Sequence, residues 1–492
     1  MRLNSFIIKI GNYLFIGIFF IVFSYSFAQN NRPDDFLKPE FHKERREALR
    51  KIMPKNSVAV FFANPVRNRS NDVDFVYHQD PNFYYLTGYK EPHSVLLIFS
   101  EEQVVQGEKV NELIYVQKRN ERAELYNGKR LGVEGVSKEL GLSAVYNGEE
   151  FIHTPIDFST FDKVMFEPFR NDVRDTRAEK ANLYTLIEQF KSKIDLNTFS
   201  ASSGFDHQTT LKTNLDKKTL KTLMADLREV KTEEELVLIK KAVEISCLGQ
   251  IEVMKAMHED MSEMEIQGIH EFVFRKYGAE FEGYPSIIGA GNNGCVLHYI
   301  DNDLLNVGNE LVLMDLGAEY HGYTADVTRT IPANGKFNQA QKEIYDLVYE
   351  AQEAGIKAAV IGNNAKMIDS IARDIINQGL LDLGIIKDVK EGRTYFPHGT
   401  SHHIGLDVHD LNNRESFKEH MIITVEPGIY IPKGSACDPK YWGIAVRIED
   451  DVLITKAGPI NYSALAPRKS EEIEELMKEE SIFSRYQLPS LD

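Results

Sequence analysis

The chain has 492 residues, of which 42% are hydrophobic and 27% are charged, and its net charge at neutral pH is −17. This length exceeds one ordinary hydrophobic core and predicts two or three domains, and the composition excludes a largely disordered chain. The acidic excess excludes a general nucleic-acid binder, because few cations are available to neutralise phosphates. The three cysteines, Cys247, Cys295 and Cys437, exclude a disulfide scaffold or a cysteine-rich metal site as the organising principle.

The N-terminal segment differs in character from the rest of the chain. Two cations and no acid precede an apolar run over residues 13–23, and small residues occupy the −3 and −1 positions of a cleavage after Ala28. This is the layout of a secretory signal peptide over residues 1–28. The alternative is a retained membrane anchor, since residues 13–28 approach the short end of a spanning helix. We expect cleavage after Ala28 and an exported protein, either periplasmic or secreted.

Helix-like and strand-like stretches alternate from about residue 36 to residue 203. Short apolar runs bounded by polar residues, glycine or proline are typical of buried strands. Four such runs occur here: Val58–Phe62, Val95–Phe99, Leu113–Gln117 and Val164–Phe166. Helices are predicted over two stretches, Phe41–Met53 and Leu183–Ile194. The sequence therefore predicts an α/β domain over residues 33–210.

The second half of the chain carries clearer helix signals. A polar helical pattern over residues 211–230 predicts a linker helix, and a second domain follows over residues 231–480. Thr232 and Glu235 form a capping box ahead of an apolar helix that reaches about Met257. Further helices are predicted over residues 262–278, 338–361 and 366–381, with strand-rich stretches over 310–331 and 420–454. This pattern predicts an α+β domain with helices against an antiparallel sheet.

Two aspartates lie in a segment, Glu310–Ile331, that is predicted to form a β-hairpin with its turn around residues 320–323. The midpoint of positions 315 and 326 is 320.5, near this turn, so symmetric pairing would make Asp315 and Asp326 face each other, with Cβ atoms about 4.5–5.5 Å apart. Two like charges at that distance repel, and a divalent cation is the natural compensation. The alternative is a pair of solvated residues at a hairpin end. The apolar run before Asp315 favours a buried site.

Histidines cluster in one short stretch near residue 400. His398, His402, His403 and His409 fall within twelve residues of a chain that has 14 histidines in total. Glycines flank them and allow the backbone to approach closely. A lone histidine is usually a surface or core residue, whereas a cluster of this kind favours a metal or proton-transfer site.

Two glutamates, Glu426 and Glu449, lie within or beside apolar strands, where a buried carboxylate needs a partner. Each alone is weak evidence, since a salt bridge such as Glu449 with Arg447 also accounts for it. Together, two aspartates, two glutamates and one neutral histidine supply four negative charges, which match two divalent cations. Oxygen-rich ligation with one imidazole suits Mn²⁺, Co²⁺ or Zn²⁺ better than a thiolate site would. We expect two ions, with Mn²⁺ first and Co²⁺ or Zn²⁺ as alternatives.

These pieces, in this order, resemble the metallopeptidases of the pita-bread fold, a family that includes methionine aminopeptidase, prolidase and aminopeptidase P. The resemblance covers about residues 230 to 470 and implies a pita-bread catalytic domain with a dinuclear metal site. The implied metal ligands are Asp315, Asp326, His402, Glu426 and Glu449. In the family pattern the ligand is the histidine four residues after the His-Gly pair, which selects His402 over the adjacent His403.

The same resemblance implies roles for residues around the metal ligands. His298 and His409 match two histidines that contact the scissile-bond region in the family. Glu426 matches the ligand that relays a proton between the attacking water and the leaving amine. Arg447 matches an arginine that orients a ligand carboxylate. The residues implied to bind substrate or support the ligands are His398, Tyr430 and Arg447.

The first half of the chain distinguishes among the relatives. Residues 71–89 are similar to the N-terminal domain of aminopeptidase P, which methionine aminopeptidases lack. Creatinase-type relatives replace the metal ligands, whereas all five are present here. Prolidase shares both domains but cleaves only dipeptides that end in proline, and residues 83–88 resemble aminopeptidase P more closely.

The resemblance thus implies a dinuclear metal-dependent Xaa-Pro aminopeptidase, which releases the N-terminal residue from peptides with proline in the second position. It implies a peptide as the substrate and a homo-oligomer, either a dimer or a tetramer. The alternatives are a prolidase and a metal-free binding protein on the same fold. Metal content, and cleavage of Xaa-Pro-Xaa compared with Xaa-Pro, distinguish the three.

Overall fold

The structure is a computed structural model, and it describes residues 33–176, 180–195, 214–413 and 415–485. The signal peptide predicted over residues 1–28 lies outside the described residues. Among the residues that are described, no helix is both long and apolar enough to cross a membrane. From Pro39 onward the described residues form one compact body.

The first domain is built on a mixed sheet with helices around it. Its strands are β1 Ser57–Phe62, β2 Asn68–Ser70, β3 Val73–Asp74, β4 Val95–Val105, β5 Glu108–Val116, β6 Val145–Asn147, β7 Lys163–Phe166 and β8 Leu215–Asp216. Its helices are α1 Pro39–Ile52, α2 Pro81–Thr87, α3 Glu121–Asn127, α4 Gly132–Leu140 and α5 Leu183–Lys193, and α6 Thr219–Arg228 leads out of it. The main sheet has the order β6-β5-β4-β1-β7-β8, and β2 pairs with β3 in a separate hairpin.

The apolar core of this domain lies between the main sheet and α5. Phe190 of α5 contacts the rings of Phe62, Phe158 and Phe166 at centroid distances of 5.3–5.5 Å. The four strands expected from apolar runs are all present. Strands β4 and β5 are longer than their apolar runs, because their hairpin continues with mostly exposed residues, among which only Val105 and Val110 return to the core.

The stretch predicted as a linker helix, residues 211–230, contains a strand before the helix. Strand β8 pairs in parallel with β7 and extends the sheet of the first domain. Asp216 then accepts hydrogen bonds from the backbone N–H groups of Lys218 and Thr219, at 2.9 and 2.8 Å. These bonds satisfy donors at the start of α6, which therefore begins only at Thr219.

The second domain places helices against short antiparallel sheets, which confirms the predicted α+β fold. Its helices are α7 Glu233–Ala256, α8 Glu263–Lys276, α9 Gln339–Ala358, α10 Ala365–Asp382 and α11 Ser470–Leu476. Its strands are β9 Phe281–Glu282, β10 Ile287–Ala290, β11 Leu311–Leu316, β12 Ala318–Tyr320, β13 Tyr323–Thr324, β14 Val327–Pro332, β15 Ile422–Val425, β16 Gly428–Ile431, β17 Ile444–Arg447, β18 Asp450–Thr455 and β19 Gly458–Asn461. The capping box of Thr232 and Glu235 starts α7 as predicted.

These strands divide into several sheets rather than one. The three-stranded sheets have the orders β10-β11-β14, β13-β12-β9 and β15-β18-β19, and β16 pairs with β17. Helices α9 and α10 pack against each other, and α9 also contacts β17. The sheets therefore bring the ends of β11, β14, β15 and β17 toward one region.

The turn of the central hairpin is centred one residue further along the chain than the predicted opposition of the two aspartates requires. Asp315 pairs with Thr328 rather than with Asp326, because the turn residues are His321 and Gly322, between the paired Tyr320 and Tyr323. His321 and Gly322 both have positive φ, 53° and 90°, as tight hairpin turns require. The prediction that the two aspartates are directly opposed is therefore wrong. Asp326 lies two residues from the partner of Asp315, so the two carboxylates are diagonal neighbours on one face.

Gly317 allows the two halves of this hairpin to approach closely. A Cβ atom at this position would lie 1.7 Å from the backbone oxygen of Ala325. We expect Gly317→Ala to lower the free energy of unfolding by about 3 kcal/mol, the upper part of the usual range for overpacking, because backbone atoms cannot rotate away. Urea unfolding measures the difference.

The matched control is Gly268→Ala on the exposed face of α8, where no atom lies within 4 Å of the added Cβ. This variant is expected to gain about 0.5–1 kcal/mol, because alanine favours a helix interior over glycine. Equal stability of the two variants would contradict the importance of the close approach at Gly317.

Candidate metal centre and substrate cavity

Four carboxylates of the second domain meet on the wall of one cavity, each at or beside the end of a strand. Their positions are Asp315 near the end of β11, Asp326 directly before β14, Glu426 between β15 and β16, and Glu449 between β17 and β18. Hydrogen-bonded strands fix the backbone at each position, so the carboxylates cannot easily move apart. The cluster is mostly buried, so water screens its charges poorly.

His402 faces these carboxylates from the loop that precedes β15. Its backbone N–H donates to Thr424 Oγ1 at 3.1 Å, and its carbonyl accepts from Thr424 N at 2.9 Å. Its Nε2 lies 3.5 Å from Asp326 Oδ2 and 3.4 Å from Glu426 Oε1. Its Nδ1 lies 3.0 Å from the carbonyl oxygen of His403. A proton on Nδ1 would donate to that carbonyl and leave Nε2 free to bind a cation.

The side chains at this wall fit a divalent cation. Asp326, His402 and Glu449 each offer a ligand atom, and these atoms lie within 4.8 Å of one another. Glu449 Oε2 accepts from Thr328 Oγ1 at 2.6 Å, but buried Glu449 Oε1 has no hydrogen-bond partner among the described residues. A buried carboxylate oxygen in that state is costly unless a cation faces it. Carboxylate oxygens with one imidazole are a donor set that suits Mn²⁺ or Zn²⁺.

Burial and mutual repulsion perturb the carboxyl pKa values. Burial, followed by the charge of Asp315, raises the pKa of Asp326. Burial and the charge of Asp326 raise the pKa of Glu449 well above its usual value, and burial raises the pKa of Glu426 to about 7. Burial also opposes ionisation of Asp315, but the Arg447 guanidinium and the hydrogen bond from Tyr284 together outweigh burial and lower that pKa. One arginine cannot neutralise the whole cluster, which again favours bound cations.

Tyr284 is a member of this site that the sequence did not indicate. Its hydroxyl oxygen lies 2.6 Å from Asp315 Oδ1 and 2.5 Å from Asp326 Oδ1. It therefore bridges the two carboxylates that the hairpin places diagonally. Tyr284 is one of 22 tyrosines in the chain, and neither periodicity nor a motif separates it from the others.

The residues expected on the substrate side share this cavity, which has a volume of about 620 Å³. His298, His398 and His409 all line it, and the rings of His402 and His409 pack with centroids 4.3 Å apart. The hydroxyl of Tyr430 lies 2.8 Å from His398 Nε2 and 2.8 Å from Arg447 Nη1. Tyr430 thus connects a substrate-side histidine to the arginine that contacts Asp315.

His403, adjacent to His402 in the sequence, points elsewhere. It is buried, forms a β-bridge with Ile423 and packs near the ring of Phe417 at a centroid distance of 6.4 Å. The structure therefore places His402, and not His403, beside the carboxylates. The bridge to β15 gives His403 a structural position.

An apolar wall completes the cavity, and the sequence did not indicate it. Its members are Pro285, Ile287, Leu297, Ile300 and Val408. They come from three separate segments, so no local pattern could have grouped them. The cavity thus combines a charged wall with a surface suited to an apolar ring.

Proton release is expected to accompany metal binding at this site. Burial alone lowers the pKa of His402, but its contact with Asp326 and the charges of Glu426 and Asp326 outweigh burial and raise the pKa to about 9. Metal ligation requires neutral imidazole and ionised carboxylates, so protons must leave. We expect Mn²⁺ affinity of chelator-stripped protein to rise between pH 6 and pH 9, with about one proton or more released at pH 7. Calorimetry in two buffers of different ionisation enthalpy measures this release.

A pair of histidine variants tests the origin of the proton. His402→Gln should release fewer protons than the unchanged protein. The control His420→Gln should release the same number, because His420 pairs with Glu233 and does not line the cavity. An affinity that does not change with pH would contradict a protonated His402 in the metal-free protein.

Comparisons with known proteins connect this geometry to a family. The chain matches the family models for the aminopeptidase P N-terminal domain over residues 42–156 and for metallopeptidase family M24 over residues 237–456. It is 34% identical to the Xaa-Pro aminopeptidase of Haemophilus influenzae, over 89% of this chain and 97% of that protein. It is 32% identical to the Xaa-Pro aminopeptidase of Escherichia coli, over 89% of this chain and 98% of that protein.

A solved structure gives the same result. Aminopeptidase P from E. coli with the inhibitor Pro-Leu matches with a TM-score of 0.78 and 31% identity, over 90% of this chain and 99% of that one. The resemblance stated from the sequence motifs and the predicted pita-bread fold are both confirmed. This chain belongs to the Xaa-Pro aminopeptidase family, within the M24 metallopeptidases.

Proposed function

We propose that this chain is a metal-dependent aminopeptidase that releases the N-terminal residue from peptides with proline in the second position. The observation that carries this proposal is the single cavity shared by the five expected metal ligands and by His298, His398 and His409. The relatives named Xaa-Pro aminopeptidase support it, since each matches nearly along its whole length.

The ligand set is proposed to hold two divalent cations, because its four carboxylates balance the charge of two such ions. The ligands are Asp315, Asp326, His402, Glu426 and Glu449. Such ions supply Lewis-acid activation of a carbonyl group and of water. Arg447 and Tyr284 hold the two aspartates in place, as their contacts with these carboxylates indicate. We propose Mn²⁺ as the ion, with Co²⁺ or Zn²⁺ as alternatives.

Glu426 is the residue proposed to move a proton during catalysis. Its Oε1 faces His402, whereas its Oε2 lies 3.6 Å from His398 Nδ1. The carboxylate thus stands at the border between the ligand cluster and the substrate-side histidines. From there it can take a proton from the attacking water and return it to the leaving amine.

The substrate side suits a proline peptide. Proline has no backbone N–H, so a site for it needs an apolar surface for the ring rather than an acceptor for that proton. The wall that includes Ile287, Leu297 and Val408 offers such a surface. His298 and His409 are proposed to hydrogen-bond the peptide and the oxyanion that forms at the scissile carbonyl.

A homo-oligomer, dimer or tetramer, is proposed for the active form. Leu125 and Tyr126 of α3 are 81% and 77% exposed, and α3 buries none of its residues in this chain. Exposed apolar side chains side by side are typical of a surface that another chain covers.

We also propose that the mature protein is exported after cleavage at Ala28. Mass spectrometry of the N-terminal peptide, from protein recovered outside the cytoplasm, should show a chain that begins at Gln29. A chain that begins at Met1 and sediments with membranes would show a retained anchor instead.

Hydrolysis of two peptides tests the activity. We expect chelator-stripped protein to be inactive, and added Mn²⁺ to restore cleavage of an Xaa-Pro-Xaa tripeptide at the Xaa-Pro bond. Cleavage of the Xaa-Pro dipeptide alone would indicate a prolidase. Metal binding without cleavage of either peptide, with any divalent ion, would indicate a binding protein.

One matched pair of variants tests the ligand assignment. Asp326→Asn should lower kcat/KM roughly a thousandfold, because losing about 4 kcal/mol of metal-derived stabilisation corresponds to that factor. The control Asp374→Asn, on an exposed position of α10, should retain full activity. Full activity of folded Asp326→Asn would refute the assignment.

A further inference from the structure

A group of four charged side chains outside the cavity, of which only Asp407 is substantially exposed, holds the loop that carries His409. Arg228, the last residue of α6, has a side chain that is 2% exposed. Its Nη2 donates to Asp407 Oδ2 at 2.7 Å and also to Asp410 Oδ1. Lys231 Nζ donates to the other oxygen of Asp410 at 2.8 Å. We call Arg228, Lys231, Asp407 and Asp410 the charge clamp.

The clamp fixes both ends of a very short segment. Asp407 and Asp410 flank Val408 and His409, so each end of this pair is tied to Arg228. The backbone tightens the same loop, since Asp410 N donates to His403 O at 2.9 Å. A Cβ at Gly405 would lie 2.3 Å from Asp410 Oδ2, so a glycine is needed where the carboxylate approaches.

The His409 ring depends on this backbone for its position. Its side chain is exposed toward the cavity and packs against the ring of His402. In the part of the chain that the structure describes, no hydrogen bond to the His409 ring is present. The location of the imidazole is therefore set mainly by where the clamp places residues 407–410.

The clamp also reaches the first domain. Arg228 Nη1 donates to Asn82 Oδ1 of α2 at 2.8 Å. Asn82 Nδ2 in turn donates to Glu167 Oε1, next to β7, at 3.1 Å. One guanidinium thus bonds the first domain on one side and the His409 loop on the other. An arginine can bond all of these partners at once because its donors form a planar fork. A lysine ammonium at the same place cannot.

We propose that Arg228 is a positioning residue for His409, and that through Asn82 it couples the first domain to the substrate side of the cavity. This inference rests on the proposed aminopeptidase activity. It assigns the first domain a part in catalysis, although none of the metal ligands belongs to that domain.

A double-mutant cycle tests the proposal in the Mn²⁺-loaded full-length protein. Arg228→Lys should lower kcat/KM on the Xaa-Pro-Xaa tripeptide by roughly 10- to 100-fold, the size expected for a small displacement of a catalytic group. In a His409→Ala background the same change should have almost no further effect, because its target is already absent. A purely structural role of Arg228 would give the same loss in both backgrounds.

Further variants guard against misfolding and test the domain link. Asp407→Asn guards against misfolding, because the Asp407 side chain is 45% exposed and its replacement disturbs the interior least. This variant should show the same coupling to His409→Ala. Asn82→Ala should show the same coupling with a smaller loss. The control Arg174→Lys, in an exposed pair with Asp74, should leave kcat/KM unchanged.

The outcomes separate the two hypotheses. Independent effects of Arg228→Lys and His409→Ala, or full activity of folded Arg228→Lys and Asp407→Asn, would overturn the positioning role. Failure of the unchanged protein to cleave the tripeptide with any divalent ion would instead refute the proposed function. Cleavage by the unchanged protein together with strong coupling would support both.

Discussion

Repulsion among four buried carboxylates is the constraint that organises the second domain. Like charges that water screens poorly move apart or take up protons, unless the backbone holds them together and cations balance their charge. Here strand ends fix the backbone, the Arg447 guanidinium lies against Asp315, and the Tyr284 hydroxyl spans Asp315 and Asp326. These contacts neutralise only part of the charge. Divalent cations would balance the remaining negative charge. The ions that the proposed chemistry requires are therefore also the ions that the fold requires.

The first domain supports this arrangement from a distance. His78 Nε2 lies 2.9 Å from both carboxylate oxygens of Glu319, and the Tyr84 hydroxyl donates to the carbonyl of His321 at 3.2 Å. Both contacts hold the tip of the hairpin whose register sets the spacing of Asp315 and Asp326. With Arg228 at the His409 loop, the first domain thus touches two separate segments that build the cavity. A domain without metal ligands can contribute to catalysis in this way.

Features encoded locally could be predicted from the sequence, and features formed by distant contacts could not. Apolar runs gave the strands of the first domain, and the capping box at Thr232 gave the start of α7. The ligand set came from motifs shared with a known family. The hairpin register was mispredicted because the turn is centred between His321 and Gly322, where φ is positive, one residue beyond the centre that direct opposition of Asp315 and Asp326 requires. Tyr284 and Arg228 escaped notice because their partners lie far along the chain, and no periodic pattern records such pairs.

Protons and metal ions compete for the same buried groups, and the direction of that competition follows from the pKa shifts. Burial raises the pKa of Glu426 from 4.5 to about 7, and neighbouring carboxylates, against burial, raise that of His402 from 6.5 to about 9. Between its ordinary pKa and its raised pKa, each group binds more protons in the folded protein than in the unfolded chain. Its contribution to stability therefore falls as pH rises through that interval. Without metal, the cluster tolerates burial by holding protons, and it loses that protection toward alkaline pH. Bound cations balance the negative charge once these protons have left. They therefore stabilise the fold most toward alkaline pH, where the carboxylates are ionised and can bind metal.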